Sequence, residues 1–255
     1  MKLQNRLNQL VELYEKEDFI KDDPINFVHK LKNKNDIEIT GFLASIFAYG
    51  KRDLFINVLE QLFSQMSNEP YKFILNCEKN IEKIHNIDYR FSKNVDIQQI
   101  LLILNKLYKR DKSSLEKLFA YGWEKYGSVA DMLQIVCDYF YSNVDEKVVT
   151  PGFYHLIPNP VKGSPLKRMN MYLRWMVRKS VVDLGIWDFI PKSELLIPLD
   201  VHVARISRQI GLLKRSSNDF KAVLELSNNL KQFDSNDPIK YDFALFGYGV
   251  NNPIK

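Results

Sequence analysis

From one end of the chain to the other, apolar residues recur at steps of three and four, the spacing that places them on one face of an α-helix. Leu3, Leu7, Leu10 and Tyr14 form such a stripe on an opening helix that should end before Asp23-Pro24. Residues 36–50 are almost continuously apolar after an acidic start, which predicts a helix buried all round and stopped at Gly50. Asp53 should cap the next helix, with Leu54, Val58, Leu59 and Leu62 facing inward. Ile100, Leu101, Leu104 and Leu107 mark another. Ser113 with Glu116 reads as a capping box, and Ser128 as the cap of a helix running to about Tyr141. Pro151, Pro158, Pro160 and two glycines make 142–163 a loop. Two last helices should start near Asn218 or Asp219 and at Asp237-Pro238. Nowhere do apolar and polar residues alternate convincingly, so the fold class is all-α.

At 255 residues the chain can bury a substantial core, and no apolar run approaches the ~18 residues that span a bilayer. Charges interrupt the amino-terminal stretch, unlike a signal peptide, so a cytoplasmic protein with no membrane partner is expected. Cys77 and Cys137 lie far apart in helical patterns and read as buried thiols. With four scattered histidines and no cysteine cluster, neither a metal nor another cofactor is expected. The net charge is +5, but residues 160–215 hold eleven Lys/Arg against four Asp/Glu. Basic charge concentrated in this way points to a polyanion; its plain rival is that the residues solvate exposed helix faces.

The basic segment has internal order. Ser164 is suited to cap a helix and Pro165 to its first position. Leu166, Met169, Leu173 and Met176 then form a core stripe, while Lys167, Arg174 and Arg178 fall within about 40° of one another on another face. Asp200 ends an apolar run and should cap the following helix, which carries Val203, Ile206 and Ile210.

The FAYGKRD, KRMNMYLRWMVR and IPLDVHVARISRQIGL segments together resemble the helix-hairpin-helix DNA glycosylase superfamily, nearest the archaeal 8-oxoguanine DNA glycosylase subgroup. KRMNMYLRWMVR, DLGIW and YDFALFGYG resemble a bacterial family of unknown function still more closely, over most of the chain from about residue 36. The first resemblance implies a two-lobed helical fold forming a single unit, with a middle lobe of about 36–190 and a terminal lobe of 1–35 plus 198–255. It further implies a monomeric, nucleoid-associated enzyme of base excision repair whose partner is damaged DNA with a flipped base. Lys167 matches the family's nucleophilic lysine, and Asp200 its helix-starting aspartate. The hairpin keeps one glycine, Gly163, of the usual Leu-Pro-Gly-Val-Gly run, and Tyr49 stands where many relatives carry a glutamine.

These residue types suit the chemistry. A neutral lysine amine can attack C1′ of a deoxyribose and hold the sugar as a Schiff base, after which elimination cuts the strand. Burial and the neighbouring Arg168 and Arg174 would keep the amine neutral. The Asp200 carboxylate would stabilise the cationic sugar or move protons. Contacts to DNA fall to Lys162, Gly163, Ser164, Arg168, Tyr49, Lys51, His202 and Arg205. The pocket for the flipped base falls to Arg174, Trp175, Arg178, Asp183, Trp187 and Phe246. Asp183 has a plainer role open to it, pairing with Arg178 or Lys179, and the tryptophans are more often core than pocket. The altered hairpin keeps a second function open, a nucleic-acid binder that retains the fold without the chemistry. A third is a helical interaction protein with no nucleic-acid role.

Overall fold

The structure, a computed structural model, describes residues 2–252. It is all-α: among the described residues the only extended pairings are two isolated bridges, Tyr89 with Ser92 and Lys179 with Leu184. Among the described residues no helix is long and apolar enough to cross a membrane. The chain divides into two compact units, one made of residues 1–26 and 160–255, the other of 27–159. This division falls earlier than the expected lobe boundary near residue 190. It puts Lys167 and Asp200 in the same unit, where they were expected to come from opposite lobes.

The first unit opens with α1 (Lys2–Tyr14) and α2 (Glu17–Lys21), a break the opening stripe did not signal. The second unit contains α3 (Asn26–His29) from Phe27 onward, α4 (Lys34–Phe47), α5 (Arg52–Gln65), α6 (Pro70–Leu75), α7 (Cys77–Asn80), α8 (Asn94–Asn105), α9 (Leu115–Tyr126), α10 (Val129–Asn143) and α11 (Pro151–Leu156). The chain then returns to the first unit with α12 (Lys167–Val177), α13 (Val201–Gln209), α14 (Phe220–Lys231) and α15 (Tyr241–Asn251).

In the second unit, α4 is the buried centre. Every residue from Ile37 to Phe47 is out of solvent, as its unbroken apolarity requires. Its buried carboxylate, Glu38, accepts from the Tyr108 hydroxyl at 2.7 Å, which meets the requirement that a buried charge be bonded. Asn33 caps this helix through the Asn35 and Asp36 amides. In α5 the inward face is Phe55, Leu59, Leu62 and Phe63, while Leu54 is exposed. The helix begins at Arg52 rather than after Asp53. Likewise Ser114, not Ser113, caps α9 through Lys117, whereas Ser128 caps α10 as expected. The proline-rich stretch after α10 contains α11, started by Thr150 with Pro151 in the first turn. Cys77 and Cys137 are both buried and form no disulfide, and burial pushes the Cys77 thiol up to about 12.

In the first unit, α15 is the organising element, with α1 and α13 packed against it. Leu3, Leu7 and Leu10 face Ile206, Ile210 and Leu245 across a small apolar recess. The approach is close enough that a Cβ at Gly247 would lie 2.3 Å from Cγ of Tyr14. Asp219 caps α14 through Ala222, one of the two starts foreseen for that helix.

The buried Asp96 carboxylate ties α8 to α11 by accepting from the Lys93 and Thr150 amides (2.8 and 2.7 Å) and the Thr150 hydroxyl (2.6 Å). Replacing it leaves three partly buried donors without their acceptor. Asp96→Ala should therefore lower the unfolding free energy by about 3 kcal/mol, measurable by urea denaturation.

Candidate active site

The turn before α12 departs from the simple cap that Ser164-Pro165 suggests. Pro160–Lys162 forms a 3-10 turn, and Gly163 follows at φ 75. The Gly163 amide donates to Pro160 O at 2.9 Å, and its carbonyl accepts from the Phe220 amide at 3.1 Å. Ser164 Oγ accepts from the Leu166 amide at 3.3 Å, so its side chain holds the turn and not the helix. Leu166 sits in the left-handed region at φ 51, with its side chain fully buried. Burying that leucine sets the turn, and α12 starts two residues later than Pro165 would allow. Lys167 thereby becomes the first residue of the helix.

The Lys167 amine lies within protein although part of its side chain reaches the surface. Its Nζ is 3.3 Å from Met171 Sδ, one turn along the same helix. Burial holds its pKa below the ordinary lysine value; Asp200, Asp23 and Asp242 pull upward, and Arg168 adds to the lowering. Asp200 caps α13 as foreseen, accepting from the Val203 amide at 2.8 Å. Lys167 and Asp200 therefore stand within electrostatic reach of each other in one unit.

Behind them lies a buried ionic network. Arg174 Nε donates to Asp183 at 3.1 Å, and its Nη1 donates to Asp242. Arg178 donates to Asp183 at 2.8 Å, to both oxygens of Asp237 at 3.0 Å and to Glu15. The two guanidinium groups lie over the Phe243 ring, 4.4 and 5.6 Å from its centroid. Burial opposes both charges, yet the surrounding carboxylates raise both arginines above their ordinary value. The face that carries Arg174 and Arg178 is thus turned to carboxylates and removed from solvent. Asp183 takes the plainer role foreseen for it, with Arg174 joining Arg178.

The remaining candidates divide between the units. Trp175 and Trp187 are buried, the latter edge-on to Tyr172 at 5.3 Å. The indole Nε1 of Trp175 and Oδ1 of Asn170 have no hydrogen-bond partner among the described residues. Phe246 meets His202 edge-on at 6.0 Å. Arg205 donates to Gly249 O and Asn252 O, capping the end of α15. Lys162 and Gly163 are exposed, and Arg168 is nearly buried. Tyr49 and Lys51 belong to the second unit. There the Tyr49 hydroxyl donates to Tyr89 O at 3.1 Å and its ring meets Tyr89 and His155. Sequence reasoning overlooked Glu15, Asp23, Asp237 and Asp242. Asp242 left a legible trace, an acid inside the otherwise apolar YDFALFGYG run.

The family model described as Protein of unknown function (DUF2400) matches residues 23–251. The chain belongs to this family. No curated protein and no solved structure matches it. The matched residues include Lys167, Arg174, Arg178, Asp183, Asp237 and Asp242, while Glu15 precedes them.

In this DUF2400 chain the Asp242 carboxyl is lifted by burial from its ordinary 3.8 to about 7, with Asp200 and Asp183 adding to the rise and Arg174 and Lys167 opposing it. A carboxyl that holds its proton more tightly when folded stabilises the fold at low pH. That contribution is lost as pH rises from about 4 to about 7. Its upper bound is about 4 kcal/mol. Asp242→Asn cannot ionise, so urea unfolding of both proteins at about pH 5 and about pH 8 should show the variant gaining on wild type at the higher pH. An unchanged gap would mean that Asp242 is ionised throughout.

Proposed function

We propose that the chain is a DNA glycosylase with lyase activity that excises a damaged purine such as 8-oxoguanine, in keeping with its resemblance to helix-hairpin-helix glycosylases. The observation that carries this reading is the Lys167 amine, held below its ordinary pKa by burial, with the helix-capping Asp200 carboxylate in reach. In this reaction the neutral amine forms a bond to C1′ as the bond from C1′ to the base breaks. Asp200 stabilises the positive charge that develops on the sugar and takes up the proton that the amine loses. The Schiff base that follows permits β-elimination of the 3′ phosphate. The unpartnered Trp175 N–H and Asn170 oxygen, on the same helix as Lys167, are groups that a bound base would satisfy. Arg174 supports the site indirectly, by fixing α12 against Asp183 and Asp242.

A second reading is a nucleic-acid binder without catalysis. What favours it is that the Gly163 amide, expected to meet a phosphate, is already bonded to Pro160 O.

Borohydride trapping on lesion-containing oligonucleotides separates the two. Wild type should form a covalent adduct that Lys167→Ala abolishes. Asp200→Asn, which keeps an oxygen for the cap, should slow trapping about 100-fold. Equal trapping by wild type and Lys167→Ala across a broad lesion panel would eliminate the glycosylase-lyase reading. DNA binding that survives both substitutions would then support the second.

A further inference from the structure

In the second unit, between α7 and α8, Tyr89 and Ser92 exchange backbone hydrogen bonds of 2.9 Å in both directions and set Arg90 and Phe91 at the tip of a tight turn. The tip is costly on two counts. Arg90 occupies the left-handed region at φ 51, and the Phe91 ring is 58% exposed.

What surrounds the tip leaves it little freedom. Tyr49 and Tyr89 bond each other's carbonyl oxygens through their hydroxyls. Ser92 is fully buried, its Oγ within 3.2 Å of the Tyr49 hydroxyl. From below, a Cβ at Gly152 would lie 2.2 Å from Phe91 O; from the side, one at Gly50 would lie 2.6 Å from Tyr89 Oη and 3.0 Å from Arg90 Cδ. Both positions admit only glycine without movement. The arginine lies over the phenyl ring at 5.5 Å. Phe91 meets His155 edge-on at 5.0 Å, and that ring in turn meets Tyr49.

We propose that Phe91 and Arg90 form a preorganised stacking platform for a nucleobase exposed where the stack of duplex DNA is broken. A rigid, projecting ring with a guanidinium beside it offers a face to any base, because every base has a π-face. Lys51 and Arg52 directly follow Gly50, which touches Arg90, and can meet the flanking phosphates. Of the nearby acids, Asp88 is committed to Lys93 Nζ and the Asn94 amide, both at 2.9 Å, and Asp96 to Thr150 and the Lys93 amide; Asp53 adds a further negative charge beside Arg52. Tyr49, the aromatic singled out from the sequence, serves as the support of the platform, its hydroxyl already bonded. This rests on the nucleic-acid partner proposed above but not on Lys167 chemistry.

Fluorescence anisotropy tests it with two duplexes, one fully paired and one carrying a tetrahydrofuran abasic gap. Wild type should prefer the gapped duplex. Phe91→Ala should weaken binding to that duplex by about tenfold, with little change on the paired one, and Phe91→Trp should restore it. Arg90→Gly relieves the left-handed backbone, so it should unfold no more easily than wild type while binding the gapped duplex several-fold more weakly. If wild type binds DNA and Phe91→Ala binds the gapped duplex equally well, the platform is overturned and the DNA partner stands. If wild type binds neither duplex, the nucleic-acid reading falls, and the platform with it.

Discussion

The buried network joining Arg174 and Arg178 to Glu15, Asp183, Asp237 and Asp242 determines how the first unit is put together. Its members come from α12, from the segments before α2 and α15, from the loop after α12 and from α15 itself. Two guanidinium groups buried without partners would be prohibitive; with four carboxylates and the Phe243 face around them they are compensated. Such a network is weak as a source of net stability, because desolvation offsets most of the attraction. It is strong as a constraint on geometry, since removing any member leaves an uncompensated buried charge. The ends of the chain are therefore tied to α12 with little tolerance for error.

Lys167 inherits its setting from this arrangement. The same helix that carries the arginines begins at Lys167, and the carboxylates gathered around it include Asp242, itself a member of the network. An amine in such a place feels two opposed effects. Burial favours its neutral form, and three acids favour the charged one; burial prevails. A lysine poised in this balance responds sharply to desolvation, because a ligand that expels water strengthens every charge interaction at once. Asp242, lifted to about 7 by the same burial, is poised in the opposite sense.

Much of the helical skeleton was readable from apolar spacing; the cap at Asp200 was readable from residue type, and that of α14 was narrowed to Asn218 or Asp219. Errors arose where a tertiary contact outweighed a local preference. Ser164-Pro165 is a strong helix start, yet the burial of Leu166 displaced it. Leu54 matched the inward period of α5, but the larger rings of Phe55 and Phe63 are the ones buried. The charge excess in 160–215 was real as a count and misleading as a surface. Arg174 and Arg178 are neutralised by Glu15, Asp237 and Asp242, which lie far outside that window. No windowed sum of charge detects an ion pair between residues 163 positions apart.

The two left-handed residues, Leu166 and Arg90, make a last connection between fold and function. Neither is glycine, and each costs on the order of 1 kcal/mol to hold in place. In each case the neighbouring residue is one that a purely structural protein would not need there: Lys167 with its depressed amine, and Phe91 with its ring in water. A chain selected only for stability would replace both with glycine or asparagine at no loss of packing at Arg90, whose side chain lies on the surface. Leu166 is different, because its side chain fills the core, so its strain comes together with burial that offsets it. At Arg90 the offset comes from surface contacts, the guanidinium over the Phe91 ring and Cδ beside Gly50. Under the platform proposed above, the exposed guanidinium and the adjoining ring meet a base in solution, and the turn at Arg90 holds them in place for it.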